Sequence, residues 1–247
     1  MNFEASDRIK FASAVLAAAI LSSGLTLGLY KVGGGLAARA GNAITVTGTA
    51  SESAKADNAV WNLNLNESQS TLALSVKKID TSADALKKYL LTGGITADQI
   101  ELGPVNSNAV MEYINGNPTG RILAYQAYRT LTVRTKDVEL VAKLSNEIGT
   151  LLATGVNVGN YGPSYYLSTL DKMRAKLLAS AMQDAKERAT AITEAVGGQV
   201  GPLLSVSTGP TQVTTKDSLE RSAGGFYDLS TIDKTVNVTL SASFKTS

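Results

Sequence analysis

Residues 168–198 read STLDKMRAKLLASAMQDAKERATAITEAVGG, and their periodicity decides the fold. Leu178, Met182, Ala185, Ala189, Ile192 and Val196 step alternately by four and three, the spacing that stacks side chains on one face of an α-helix. Ala175 extends the stripe backwards. Lys176, Asp184, Lys186, Glu187, Arg188 and Glu194 fall between these positions and belong in water. Ser168 with Asp171 has the form of a capping box, and Gly197-Gly198 supplies a left-handed stop. A helix of this length spans roughly 40 Å at about 1.5 Å per residue. Its stripe needs a whole sheet, or a neighbouring subunit, to cover it.

Outward from the helix, the chain supplies strands. Ile44 to Thr49 alternates Ile44, Val46 and Gly48 with three threonines. Ala59 to Asn66 is the clearest strand, with Trp61, Leu63 and Leu65 on one face and Asn62, Asn64 and Asn66 on the other. The asparagine row reads as a solvated face or as the lining of a wet subunit contact. Ser70 to Leu91 is a second amphipathic helix through Leu72, Val76, Ile79, Ala83, Leu86 and Leu90, stopped by Gly93-Gly94. Ile100 to Tyr113 and Arg121 to Arg134 read as strands joined by a turn at Asn115-Gly116-Asn117-Pro118. Val138 to Leu152 is a third helix, Val156 to Leu167 another strand, and Leu203 to Thr208 with Thr235 to Phe244 complete the set. The polar connection Gly209 to Lys234 is longer than compact domains usually need, a length associated with function. Phe226 and Tyr227, its aromatic side chains, read either as an anchor on a partner or as packing on the parent domain.

The 247 residues, 44% of them hydrophobic, suffice for a well-buried core. Arg8, Lys10, Lys31 and Arg39 stand against Glu4 and Asp7 in the first forty residues. Removing these four basic and two acidic residues from the 23 and 21 of the whole chain leaves 19 of each. A neutral globular part lacks the clustered basic footprint of nucleic-acid binding. The chain has no cysteine and no histidine, which excludes disulfides, thiol nucleophiles, imidazole proton shuttles and zinc sites built on either residue.

Phe11 to Tyr30 carries no charge and is bounded by Lys10 and Lys31. Twenty helical residues match the hydrocarbon core of a bilayer, about 30 Å. The expected organisation is a cytoplasmic flank over 1–10, a transmembrane signal anchor over 11–30, a Gly-rich linker over 31–42 and one domain over 43–247. The rival reading is a cleaved signal peptide with Ala38-Arg39-Ala40 as its cleavage site. The length of the apolar run and its distance from that site favour the uncleaved anchor. Basic residues are balanced on its two sides, so their count does not set its orientation. A short N-terminal flank and a large C-terminal domain place the domain on the periplasmic side of the inner membrane. Gly24 and Gly28 form a GxxxG pair, which lets two membrane helices approach closely.

No pattern of residues makes a credible active site, and neither a cofactor nor a metal is expected. The GxxxxGK phosphate loop is absent. Ser75 and Lys78 satisfy S-x-x-K, but on the polar side of a helix and without the SDN or KTG partners that chemistry uses. Asp80 and Asp84 lie one turn apart, too few ligands for a hard cation.

Three stretches carry a resemblance to a known family. The first is Leu91-Thr92-Gly93-Gly94-Ile95 through Asp98-Gln99-Ile100. The second is Ala124-Tyr125-Gln126-Ala127-Tyr128, leading to Val133 and the helix from Asp137. The third is Ala181-Met182-Gln183-Asp184-Ala185-Lys186-Glu187-Arg188-Ala189 with Gly197-Gly198 and Gly201-Pro202-Leu203. Their order and spacing over Ala43 to Phe244 resemble the SIMPL-domain family, formerly a domain of unknown function. One departure is Ser230-Thr231-Ile232-Asp233, where the family often has a glycine before the last strand. The resemblance implies an α/β (α+β) domain, a mixed and mostly antiparallel sheet packed with three amphipathic helices, exported from the cytoplasm and without established enzyme activity. It further implies association with the periplasm or outer membrane, and in at least one kind of member a ring- or channel-like oligomer. Eukaryotic members are linked to kinase signalling, which the prokaryotic-looking anchor argues against here.

The expected function is therefore that of a membrane-anchored, self-assembling envelope protein with a scaffolding role, not an enzyme. Its expected partners are more than four copies of itself and the bilayer through 11–30, with Gly24, Gly28, Asn62, Asn64, Phe226 and Tyr227 as contact candidates. A periplasmic ligand- or partner-binding, stress-protective module is the alternative.

Overall fold

Trp61, Leu63 and Leu65 are fully buried, and the sheet they stand on forms the centre of the larger of two compact units. The computed structural model describes residues 42–247 apart from 219 and 221. The cytoplasmic flank, the anchor with Gly24 and Gly28, and the linker as far as residue 41 lie outside the described residues. Among the described residues no helix is long and apolar enough to cross a membrane. The fold class is mixed α/β, with antiparallel-rich sheets and, among the described residues, three helices longer than a single turn.

The larger unit comprises Ala50–Ser180 and Gly209–Thr239. Strand β2 (Asn58–Gln69) pairs antiparallel from Ala59 to Gln69 with β5 (Asn117–Thr135). On the far side of β5 lie β3 (Ile100–Leu102) and β4 (Asn106–Ile114). On the far side of β2 lie β6 (Val158–Asn160) and β7 (Ser164–Tyr166). Helix α1 (Leu72–Thr92) packs on β2 and β5 through Ile79, Ala83, Leu86 and Leu90. Leu72, expected to head that stripe, is exposed, and Ser75 and Ser82 are buried in its company. Both serines are satisfied: Ser75 donates to the Tyr125 carbonyl at 2.5 Å and Ser82 to the buried Glu67 carboxylate at 2.6 Å. Gly94, at φ 104°, ends α1, and Ile95 folds back so that its N–H donates to the Leu90 carbonyl and its side chain joins the core. Helix α2 (Val138–Glu147) is capped by the Asp137 carboxylate, and a single further turn, Gly149–Leu152, follows it.

The smaller unit comprises 42–49, Ala181–Thr208 and Leu240–Ser247. It takes the first half of β1 (Ala43–Lys55), the second half of α3 (Leu170–Ala195), all of β8 (Val200–Thr208) and the end of β11 (Asp233–Thr246). Here β11 lies between β8 and β1. Gly48 brings β1 so close to α3 that a Cβ on it would stand 2.0 Å from the Ala181 carbonyl oxygen. One residue along, the Thr49 N–H donates to the Asp184 carboxylate at 2.7 Å, and Arg188 holds the same group at 2.9 Å. Those hydrogen bonds, Arg188 first, keep the Asp184 carboxyl below the ordinary aspartate range.

The long helix is turned relative to its expected stripe. Ala185 and Ala189 are buried as expected, but their company is Ala181 and Thr193, with Leu177 buried earlier on the helix. Leu178 and Met182 are half-buried, while Ile192 and Val196 are exposed. The close approach at Gly48 is the reason, because only the smallest side chains fit under that strand. The capping box does not form either. The Ser168 N–H and hydroxyl donate to the Asp57 carboxylate at 2.7 and 2.5 Å, and Asp171 pairs instead with Arg174. Gly197, at φ 78°, does end the helix, with the Gly198 N–H returning to the Thr193 carbonyl. Ala185→Leu should overpack the helix–strand contact and cost about 1–3 kcal/mol, whereas Lys186→Leu on the exposed side should cost far less. Thermal unfolding of both variants checks this, and equal melting temperatures for Ala185→Leu and the parent would refute the helix orientation.

Candidate functional site

The turn between β4 and β5 is tighter than the expected four residues. Asn115 and Gly116 take φ of 52° and 81°, and Ile114 already pairs with Asn117. Two successive residues with positive φ make a two-residue hairpin whose twist suits its strands. Register shifts on both sides of Met111 bend the ribbon, with Gly120 at φ 81° in the second of them. Glu112 accepts from the Thr119 hydroxyl at 2.8 Å and pairs with Arg121 at 3.2 Å across the ribbon.

From Asn106 to Leu123 no residue of this hairpin is buried. Tyr113 is 64% exposed and Ile114 59%, and Met111, Ile122 and Leu123 are exposed with them. Tyr113 and Ile114 are consecutive, as are Ile122 and Leu123, so each pair sends one side chain to either face of the ribbon. Its only charges, Glu112 and Arg121, neutralise each other. A two-stranded ribbon is marginal by itself in water. Exposed apolar side chains therefore stand on both faces of the ribbon.

The smaller unit has an exposed apolar edge of its own. Strand β8 pairs with β11 antiparallel, and its stretch 202–208 is exposed throughout. Val206 and Leu203 stand opposite Ala242 and Phe244, so they prolong the face that is buried on β11. No charged residue guards the strand.

The sequence candidates fall as follows. Asn62 and Asn64 are exposed on β2, and their side-chain oxygens accept from Thr132 and Thr130 at 2.9 Å each. Asn66 accepts from Gln126 in the same way. The asparagine row is thus tied across to β5 in its own sheet. Phe226 and Tyr227 form a short strand, β10 (Phe226–Tyr227), parallel to β9 (Gln212–Thr215). Phe226 is at the surface. Tyr227 is turned onto its own unit: its oxygen accepts from the Leu167 N–H at 2.9 Å and its ring lies 6.4 Å from that of Tyr166. Asn62 and Asn64 thus meet β5 at Thr132 and Thr130, away from the exposed ribbon of 106–123. Among the described residues no group of three or more acidic side chains could hold a metal ion. Asp80 instead pairs with Arg129 at 2.9 Å.

The feature that the sequence reading missed is Lys234, at the start of β11. It is fully buried, and its ammonium donates to the Asp228 carbonyl at 2.5 Å and carboxylate at 3.2 Å, 5.9 Å from the Tyr227 ring centre. Burial alone would raise the Asp228 pKa. Hydrogen bonds from Thr231, Ser230 and Lys234 outweigh it and hold the carboxyl at about 2. Burial pushes the Lys234 ammonium down, and Asp228 opposes that shift. The Ser230 and Thr231 hydroxyls close the turn around Asp228. An aspartate followed by hydroxyls two and three residues on is an Asx-turn signal, and could have exposed this turn from sequence.

Comparison with known proteins gives a family match and distant structural likenesses. A family described as SIMPL, protein of unknown function (DUF541), matches residues 44–244. No curated protein matches. Among solved structures, an amidase of the hydantoinase/carbamoylase family from Burkholderia vietnamiensis is 13% identical over 47% of this chain and 30% of that one, with a TM-score of 0.20. A protein named as an amidohydrolase/peptidase from Burkholderia cenocepacia is 17% identical over 56% and 35%, with a TM-score of 0.22. The chain thus spans about a third of the length of these two structures. At these scores neither likeness bears on fold or activity.

Proposed function

This chain belongs to the SIMPL family, and from that premise we propose that it is a non-catalytic, membrane-anchored envelope protein that assembles with copies of itself into a closed scaffold. The observation that supports this best is the hairpin of β4 and β5, which extends an apolar ribbon that nothing else among the described residues covers. A ribbon on one copy and the uncharged β8 edge on the next are different surfaces. Contacts between different surfaces run head-to-tail and close into a ring when the rotation allows. The apolar stretch Phe11 to Tyr30 would tether each copy to the inner membrane with the folded part on the periplasmic side. Tethering raises local concentration, and Gly24 with Gly28 would add contact between membrane helices.

The expected product is a homo-oligomer of more than four subunits. Light scattering on the full chain in detergent and on a chain beginning at Gly41 tests it, and both should assemble. Tyr113→Asp with Ile114→Asp should break the assembly into smaller species without changing the unfolding transition. Monomers of the unsubstituted protein in both forms across the micromolar range would sink the proposal.

A further inference from the structure

A cleft of about 390 Å³ in the larger unit lies between the loop joining β6 to β7, helix α2 and the turn after Asp228. That volume is at the small end of the range for ligand sites, about 300–1,000 Å³. Ser145, Asn146, Tyr161, Ser164, Tyr165 and Ser230 supply its polar groups, and no charged side chain lines it.

Both lips are fixed from behind. Asn160 accepts from the buried Trp61 indole at 2.9 Å and from the Gly162 N–H at 3.0 Å, and its amide donates to the Ser145 carbonyl at 3.0 Å. These bonds fasten the β6–β7 loop to the core and to α2. The opposite lip is held where the Tyr165 N–H donates to the Leu229 carbonyl at 2.8 Å and Ser230 donates to Asp228, itself held by Lys234. At the tip of the fastened loop stands Tyr161, 87% exposed. A ring so exposed adds little to packing, yet the loop beneath it is fastened through Asn160 and Gly162. An aromatic ring carried on a fastened backbone beside hydroxyl and amide groups lowers the ordering cost of binding.

We infer that this cleft binds a neutral carbohydrate, with the Tyr161 ring under the apolar C–H face of a sugar, Asn146 and Ser164 meeting its hydroxyls, and the Ser230 oxygen, whose proton goes to Asp228, serving as an acceptor. An anion would find no cation in the lining, and a cation no carboxylate, whereas a sugar needs many neutral donors and acceptors beside one apolar face. The inference stands independently of the assembly proposal. The test uses the full chain in detergent with two neutral disaccharides, chitobiose and maltose, by saturation-transfer NMR and calorimetry. Millimolar or tighter binding of at least one is expected. Tyr161→Ala should weaken it by about tenfold or more, and Ser164→Ala should weaken it less. Light scattering and thermal unfolding should be unchanged in both variants, which separates this result from any failure of assembly. Absence of binding by the unsubstituted protein to both sugars, binding indifferent to Tyr161→Ala, or equal binding of a neutral tripeptide would each overturn the inference.

Discussion

Asp228→Ala should destabilise the protein by about 3–5 kcal/mol, because it leaves the Lys234 ammonium buried without its counter-charge. The Asp228 carbonyl remains as an acceptor, but a neutral acceptor does not offset the desolvation of a full charge. Ser230 and Thr231 lose their acceptor in the same step, so the turn after β10 loosens too. For a chain of this size each kcal/mol shifts the midpoint by roughly 2–4 °C, so calorimetry should show a drop of about 10 °C. Lys234→Met should cost less, since the carboxylate keeps its two hydroxyl partners. The double variant should cost less than the two single losses added, as coupled neighbours do. Additive losses would mean that the pair does not act as one.

The same carboxyl gives the stability a pH signature. Its pKa falls from 3.8 unfolded to about 2 folded, so the folded state favours the charged form. That contribution, on the order of 2 kcal/mol, is fully present above about pH 4 and is lost as the pH falls through about 2. Urea unfolding between pH 6 and 2 should show this loss in the parent, and Asp228→Asn should flatten it. An identical acid limb in both would rule out Asp228 as its source.

Gly48→Val should prevent β1 from seating on α3, and we expect a loss above about 3 kcal/mol, beyond ordinary overpacking. The new Cβ would meet the Ala181 carbonyl oxygen at 2.0 Å, the Ala185 Cβ at 2.7 Å and the Ala185 N at 2.8 Å. Two of these three atoms are helix backbone, which no rotamer change can move aside. Relief requires α3 to withdraw, and that breaks the bond from the Thr49 N–H to Asp184. Thr47→Val, at an exposed position of the same strand, serves as the control and should change stability by less than about 0.5 kcal/mol. Equal urea midpoints for Gly48→Val and Thr47→Val would show that the contact yields more easily than its geometry implies.

Much of this fold is legible in periodicity alone. Trp61, Leu63 and Leu65 alternate with asparagines, and the structure buries the first set and leaves Asn62 and Asn64 in water. Ile79, Ala83, Leu86 and Leu90 trace the buried face of α1, and paired glycines mark the ends of α1 and α3 at the residues with positive φ. These features are local, because a pleat or a helical turn sets them. The place of the turn at Asn115-Gly116-Asn117-Pro118 is local too, although only Asn115 and Gly116 form it, with Asn117 already paired to Ile114.

The rest depends on what lies opposite each element. The face of α3 that turns inward was set by Gly48, more than 130 residues away in sequence, which admits alanine and leaves Ile192 and Val196 outside. Ser168 caps nothing, because Asp57 from another part of the chain takes its hydroxyl. Lys234 reads as a surface cation until the turn around Asp228 folds over it. The exposure of the hairpin is equally non-local: Tyr113 and Ile114 carry an ordinary apolar pattern, and among the described residues no element covers them. The cleft joins residues 142–165 to Leu229 and Ser230, segments that no spacing rule connects. Sequence by itself determined the long elements, their buried faces where the pattern is strong, and the glycine-marked ends of α1 and α3. Tertiary structure decided helix rotation, the fate of the polar side chains and both candidate surfaces, because steric fit and desolvation are properties of a side chain together with its distant neighbours.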